Sequence, residues 1–116
     1  MGFIKGKAAV LVACVVGATL LIAVPAEAAT VSVTAGKPSE YKFAIPSSVK
    51  HGKVTFKVTN KGKIAHDFSI GGKTTPTLKP GASAKLSVTL KKGKAAYKCT
   101  IPGHAAAGMK GTLKVS

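Results

Sequence analysis

Lys53-Val54-Thr55-Phe56-Lys57-Val58, running on into Asn60-Lys61-Gly62, decides the class of the fold. Successive side chains of an extended strand point to opposite faces. Val54, Phe56 and Val58 therefore share one face, and Lys53, Thr55 and Lys57 share the other. The same residues on a helix would be scattered around its axis. Asn60-Lys61-Gly62 supplies turn chemistry, so the segment reads as a half-buried strand closed by a turn.

The period of two recurs on both sides of this segment. Upstream, Val31 and Val33 alternate, and so do Tyr41, Phe43 and Ile45 before Pro46. Downstream, His66, Phe68 and Ile70 share one parity, and Leu86, Val88 and Leu90 follow the Lys79-Pro80-Gly81 turn. Gly93 precedes a run from Ala95 to Cys99, and Gly111 precedes a last run from Thr112 to Val115. No window carries a sustained helical period. Lysine fills opposite positions at 42, 53, 57, 85, 98 and 114, which gives each strand one apolar and one solvated face. Two sheets packed apolar face to apolar face satisfy that pattern. The expectation is an all-β sandwich with seven candidate strands between Ala29 and Ser116.

The N-terminus reads differently. Lys5 and Lys7 precede an uncharged run from Ala8 to Val24, and Pro25 comes just before Ala26-Glu27-Ala28. A basic start, an apolar middle and small residues ahead of a cut are the marks of a secretory signal peptide. Residues 1–28 are read as that signal peptide and residues 29–116 as the exported domain. An uncleaved membrane anchor is the alternative, since the apolar run of 17 residues is at the short limit for spanning a bilayer. With no arginine anywhere in the chain, a twin-arginine signal is excluded. Export is then in the unfolded form, to the periplasm or another extracytoplasmic space, with any metal loaded afterwards.

All 18 basic residues of this 116-residue chain are lysine. Residues 29–116 carry 16 of them against Glu40 and Asp67, a formal charge of +14. Such a charge steers a protein towards acidic partners, with association rates that fall as salt rises. An acidic redox protein or an anionic membrane surface is the expected partner. Nucleic acid is not, because the chain is exported and has no arginine for bidentate contacts.

Residues 29–116 hold one cysteine, Cys99, and one methionine, Met109. A lone thiol in an oxidising compartment has no partner for an intramolecular disulfide. It must be buried, bound or reactive. Cys99 and Met109 bracket His104 with four residues in each gap, in a loop bent by Pro102-Gly103 and Gly108. Cysteine, histidine and methionine are the three side chains with soft or borderline donor atoms. His66, at the start of a strand after the Asn60-Lys61-Gly62 turn, is the candidate for a second imidazole. His51, within Lys50-His51-Gly52, reads as a solvated turn residue.

This constellation resembles the cupredoxins, the small blue copper proteins related to plastocyanin, azurin and auracyanin. The resemblance runs over Ala29 to Ser116: Asn-x-Gly followed by His-Asp-Phe, then Tyr-x-Cys, then Pro-Gly-His, then Gly-Met-x-Gly. It implies a seven- to eight-stranded Greek-key β-sandwich. Two histidines and a cysteine in a trigonal set with a weak axial methionine are the established blue-copper arrangement. The resemblance thus implies His66, Cys99 and His104 as strong ligands of one copper per chain, cycling between Cu(I) and Cu(II), with Met109 as the weak axial ligand. Where many members have Asn after the first histidine, this chain has Asp67. In the family that side chain ties the ligand strand to the residue after the cysteine, here Thr100, whose hydroxyl can donate to a carboxylate.

The implied function is a monomeric one-electron shuttle and not an enzyme. Four protein ligands leave no open position for substrate, and His51 is the only histidine left over for a further metal centre. A copper carrier or storage protein using the same ligands is the alternative. The small apolar residues around His104, from Pro102 to Ala107, would let a partner approach the imidazole edge.

Overall fold

The computed structural model describes residues 29–116. The expected signal peptide, residues 1–28, lies outside the described residues. Nine strands follow in chain order: β1 (Ala29–Ala35), β2 (Phe43–Ala44), β3 (Ser48–Val49), β4 (Gly52–Asn60), β5 (Ser69–Ile70), β6 (Lys73–Thr74), β7 (Ser83–Leu90), β8 (Gly93–Lys98) and β9 (Lys110–Val115). They form two sheets, ordered β2-β1-β4-β7 and β3-β9-β8-β5-β6. The all-β two-sheet expectation holds.

Strand β4 is the centre of the first sheet and keeps the alternation its sequence announces, with Val54, Phe56 and Val58 fully buried. It pairs in parallel with β1, Val31 beside Phe56 and Val33 beside Val58. On its other side it runs antiparallel to β7, with Phe56 beside Leu86 and Val54 beside Val88. In the second sheet β8 and β9 are antiparallel, with Ala95 beside Leu113 and Tyr97 beside Gly111. A Cβ at Gly111 would collide with the Tyr97 phenol, so glycine here lets the ring lie across the neighbouring strand.

The two inner faces meet on aromatic rings. Phe56 of the first sheet packs on Phe68 at 5.3 Å between centroids, and Phe68 meets Phe43 edge-on at 5.2 Å and Tyr97 at 5.8 Å. Leu113, Val115, Ile70, Leu78 and Leu90 complete the buried cluster. Burying each large apolar side chain contributes roughly 1.5–3 kcal/mol, and Phe68 links this core to the histidine two residues before it.

Two expected strands shrink, and both do so next to the candidate ligands. The run from His66 to Ile70 has a ladder only at Ser69–Ile70. His66 forms an isolated bridge with Leu78 instead, giving its N–H to the Leu78 carbonyl at 3.1 Å and accepting from Leu78 N–H at 2.7 Å. The polar connection from Gly71 onward folds back along the segment and supplies these bonds irregularly, with the Thr75 hydroxyl accepting from Phe68 N–H at 3.1 Å. Asp67, which alternation would place on the solvated face, is 5% exposed. The run from Tyr41 to Ile45 keeps only Phe43–Ala44 as strand, and Tyr41 is 38% exposed. The two-residue strands β3 and β6, which no alternating run announces, account for nine strands where the sequence pattern shows seven.

Of the four sheet edges, β2, β3 and β6 are two residues long, and only β7 is long. Lysines face each other directly across the outer surfaces at Lys57 and Lys85, Lys94 and Lys114, and Lys98 and Lys110.

Candidate metal centre

Asn60 ends β4 and organises the turn after it. Its buried amide donates to the Ile64 and Leu78 carbonyls, both at 2.8 Å, and its Oδ1 accepts from Gly62 N–H at 2.8 Å. These bonds fix the path of the chain from β4 to His66. Lys61 N–H donates to the Ala35 carbonyl at 2.9 Å, which holds the turn against the end of β1. There the backbones of Gly36 and Gly62 touch, and a Cβ on Gly36 would collide with Gly62. Gly36 also has φ of +83°, a conformation open to glycine and strained for most other residues.

That close approach lays the Gly36–Lys42 loop over the turn. The loop is closed by Gly36 N–H to the Lys42 carbonyl at 2.9 Å. It carries Glu40 and Tyr41 to the two histidines. A Glu40 oxygen lies 2.6 Å from His66 Nε2, and Tyr41 stands edge-on to the His104 ring at 5.1 Å.

Cys99 immediately follows β8. Its N–H donates to the Met109 carbonyl at 3.0 Å, so the two ends of the ligand loop are tied together. Between them the chain makes tight turns: His104 N–H donates to Ile101, Gly108 N–H to Ala105 and Met109 N–H to His104, at 2.9–3.0 Å. The loop thereby turns the His104 ring inward over Cys99.

The three candidate donors converge. His66 Nδ1 lies 3.1 Å from His104 Nδ1, and Cys99 Sγ lies 3.5 Å from the same His104 nitrogen. All three donor atoms are within 4.8 Å of one another. His66 and Cys99 are buried, and His104 keeps 9% of its surface exposed. Met109 is fully buried and packs with Cys99 and Ala35, with Phe43 and Ile101 against them. All four residues singled out in the sequence therefore lie at one end of the sandwich.

The Asp67 brace is present. Its Oδ1 accepts from Thr100 N–H at 2.6 Å and its Oδ2 from the Thr100 hydroxyl. Asp67 N–H points at Cys99 Sγ at 3.5 Å. One residue thus ties the His66 segment to both Cys99 and the residue after it.

Burial raises the pKa of the Cys99 thiol above its ordinary value, and N–H groups of Asp67 and Ile101 act in the opposite sense. Burial, reinforced by the neighbouring His66, lowers the pKa of His104, which favours the neutral ring, the form that binds a metal. The Glu40 carboxyl is held below the usual carboxylate range, first by Lys63 N–H and then by His66.

These donors fit a copper ion. One thiol sulfur, two imidazole nitrogens and a buried methionine form a soft, largely dry set. No buried polar side-chain atom among the described residues lacks a hydrogen-bond partner.

His51 stands apart from the centre, and it is not the freely solvated residue expected. It is half-buried, and its Nδ1–H donates to the Ser116 carbonyl at 2.9 Å. Glu40 is the participant that sequence reasoning missed. It lies 26 residues before His66 in a loop without a motif of its own. The available signal was scarcity, because Glu40 and Asp67 are the only acids after residue 28.

A family model described as copper-binding proteins of the plastocyanin/azurin family matches residues 25–116. Among solved structures, auracyanin B superposes with a TM-score of 0.66 at 26% identity, covering 83% of this chain and 93% of that one. Rusticyanin from Thiobacillus ferrooxidans gives a TM-score of 0.66 at 22% identity and 78% coverage of both chains. Auracyanin A from Chloroflexus aurantiacus, described as a "blue" copper protein, gives 0.62 at 17% identity, covering 77% of this chain and 99% of that one. No curated protein sequence matches the chain significantly.

Proposed function

We propose that this chain, which belongs to the copper-binding plastocyanin/azurin family, is an exported one-electron carrier whose single copper is held by His66, Cys99 and His104 with Met109 as a weak fourth ligand. The observation that carries this reading is the convergence of two imidazole nitrogens and one thiol sulfur within 4.8 Å at a buried site. When bound there, copper supplies one-electron redox chemistry in which neither an atom nor a proton need be transferred.

The protein's own residues do the rest. Thiolate and thioether favour Cu(I), while imidazole accepts both oxidation states, so a compromise set needs little rearrangement when the charge changes. The Asp67–Thr100 brace and the Cys99–Met109 backbone bond support such rigidity. Burial of Cys99 and Met109 limits water and competing ligands.

His104 is the exit for the electron in this reading, being the one strong ligand with an exposed edge. Pro102, Gly103, Ala106 and Ala107 beside it are exposed and small. Tyr41 and Ile64, exposed at 38% and 40%, come from the two segments that Glu40 joins at His66. An apolar cap with Lys42, Lys61 and Lys63 nearby in sequence suits a redox protein with an acidic rim around its own contact surface. The apolar run and Ala26-Glu27-Ala28 support export by a cleaved signal peptide.

The test is addition of Cu(II) to the purified protein and to its Cys99→Ser variant. An intense visible thiolate-to-copper band with a narrow copper hyperfine splitting in EPR is expected for the parent, and its loss in the variant. A colourless parent, or a blue variant, refutes the assignment. Retention of copper against a competing chelator separates an electron carrier from a copper delivery protein.

A further inference from the structure

An imidazole can bind a metal through only one of its two nitrogens at a time, and the hydrogen bond made by the other selects which. His66 is fully buried with Nδ1 directed at His104 and Nε2 directed away, 2.6 Å from a Glu40 oxygen. A carboxylate accepts and does not donate. Nε2 therefore carries a proton, and Nδ1 is the nitrogen that faces the other donors.

Glu40 is not a mobile surface acid that happens to lie nearby. Its Oε1 accepts from Lys63 N–H at 2.8 Å, and its Oε2 accepts from the same group at 3.0 Å and from Ile64 N–H at 3.4 Å. Among the described residues, no lysine ammonium forms an ion pair with it, although there are 16 to choose from. Gly62 leaves the space it occupies, since a Cβ there would collide with both the carboxylate and His66 Nε2. The loop, the turn and the glycine together aim one carboxylate at one ring nitrogen.

We propose that Glu40 is a positioning residue of the copper centre: it locks His66 in the Nε2–H tautomer with Nδ1 turned inward, and its negative charge favours Cu(II) over Cu(I). The charge half rests on the copper reading above. A carboxylate behind a ligating imidazole raises the basicity of the ligand, and loss of such a partner costs typically about 10–100-fold in metal affinity. The higher oxidation state gains more from a nearby anion.

Two substitutions test the two halves. Glu40→Gln keeps an acceptor oxygen but removes the charge. It should remain blue and shift the Cu(II)/Cu(I) preference by about tenfold towards Cu(I), which is a rise of about 59 mV in reduction potential. Glu40→Ala leaves Nε2 without its carboxylate. Nitrogen-15 NMR of the copper-free protein should then show His66 changing from the Nε2–H form to a mixture of tautomers. A purely structural role for Glu40 would lower the melting temperature of both variants and leave potential and tautomer unchanged.

An unchanged or lowered potential in a blue Glu40→Gln variant overturns the charge half. Persistence of the Nε2–H form in Glu40→Ala overturns the positioning half. A parent protein without a copper band sinks the copper reading and the charge half together. The tautomer measurement, made without copper, decides the positioning half in either case.

Discussion

Asp67 serves three bonds with one side chain and one N–H, and its replacement separates charge from geometry. Asp67→Ala leaves Thr100 N–H and hydroxyl without their acceptor, and should cost about 1–3 kcal/mol in a urea titration of the copper-free protein. Asp67→Asn keeps an oxygen for Thr100 N–H and should cost less than half as much. Equal losses would show that the brace depends on the charge. At this scale the sequence was largely legible, because His66, Cys99, His104 and Met109 are rare residue types set in short, motif-like surroundings. Asn60 was visible only as a turn signal, since nothing local reveals that its side chain will be buried between two carbonyls. Glu40 was hidden by distance along the chain: its partner is chosen by the Gly36–Gly62 approach, a contact between two loops that no period or spacing encodes.

Among the elements, β4 carries the strongest signal and the greatest mechanical responsibility. Phe56 is fully buried and packs on Phe68, two residues beyond His66. Phe56→Ala should therefore lose about 3–5 kcal/mol in denaturant unfolding. It should also weaken copper binding, because the cavity lies directly behind the segment that presents His66. A variant that loses stability but keeps full copper affinity would show that the Asn60 turn and the Asp67 brace position the ligand without help from the core. Strands β1, β4, β7, β8 and β9 were legible because long alternation needs a ladder to bury one face. The parity of residues 66–70 was read correctly for burial of His66, Phe68 and Ile70 but not for pairing. Alternation reports which side chains turn inward, and a bridge to Leu78 or a bond from Thr75 satisfies the backbone equally well. Tyr41 was misplaced on the core face because the bonds that draw Glu40 towards His66 take its neighbour off the sheet.

For the molecule as a whole, the lysine excess makes one further prediction. Electron exchange with an acidic redox protein, followed by stopped-flow, should slow as salt rises, because screening shortens the reach of the +14 charge. A rate indifferent to ionic strength would mean that the lysines act as a solubilising coat. The charge itself was legible from composition, whereas its arrangement was not. Only the strand register shows lysines opposed in pairs across β4–β7 and β8–β9, where like charges repel. The lengths of the outermost strands bear on a different hazard. Fibre growth requires an unpaired strand long enough to template another chain. Three of the four outermost strands are two residues long, whereas β7 presents an unpaired side along all eight of its residues. An incoming chain at that border would meet Lys85 within it and Lys91-Lys92 just past its end, so strand addition along β7 is opposed by charge.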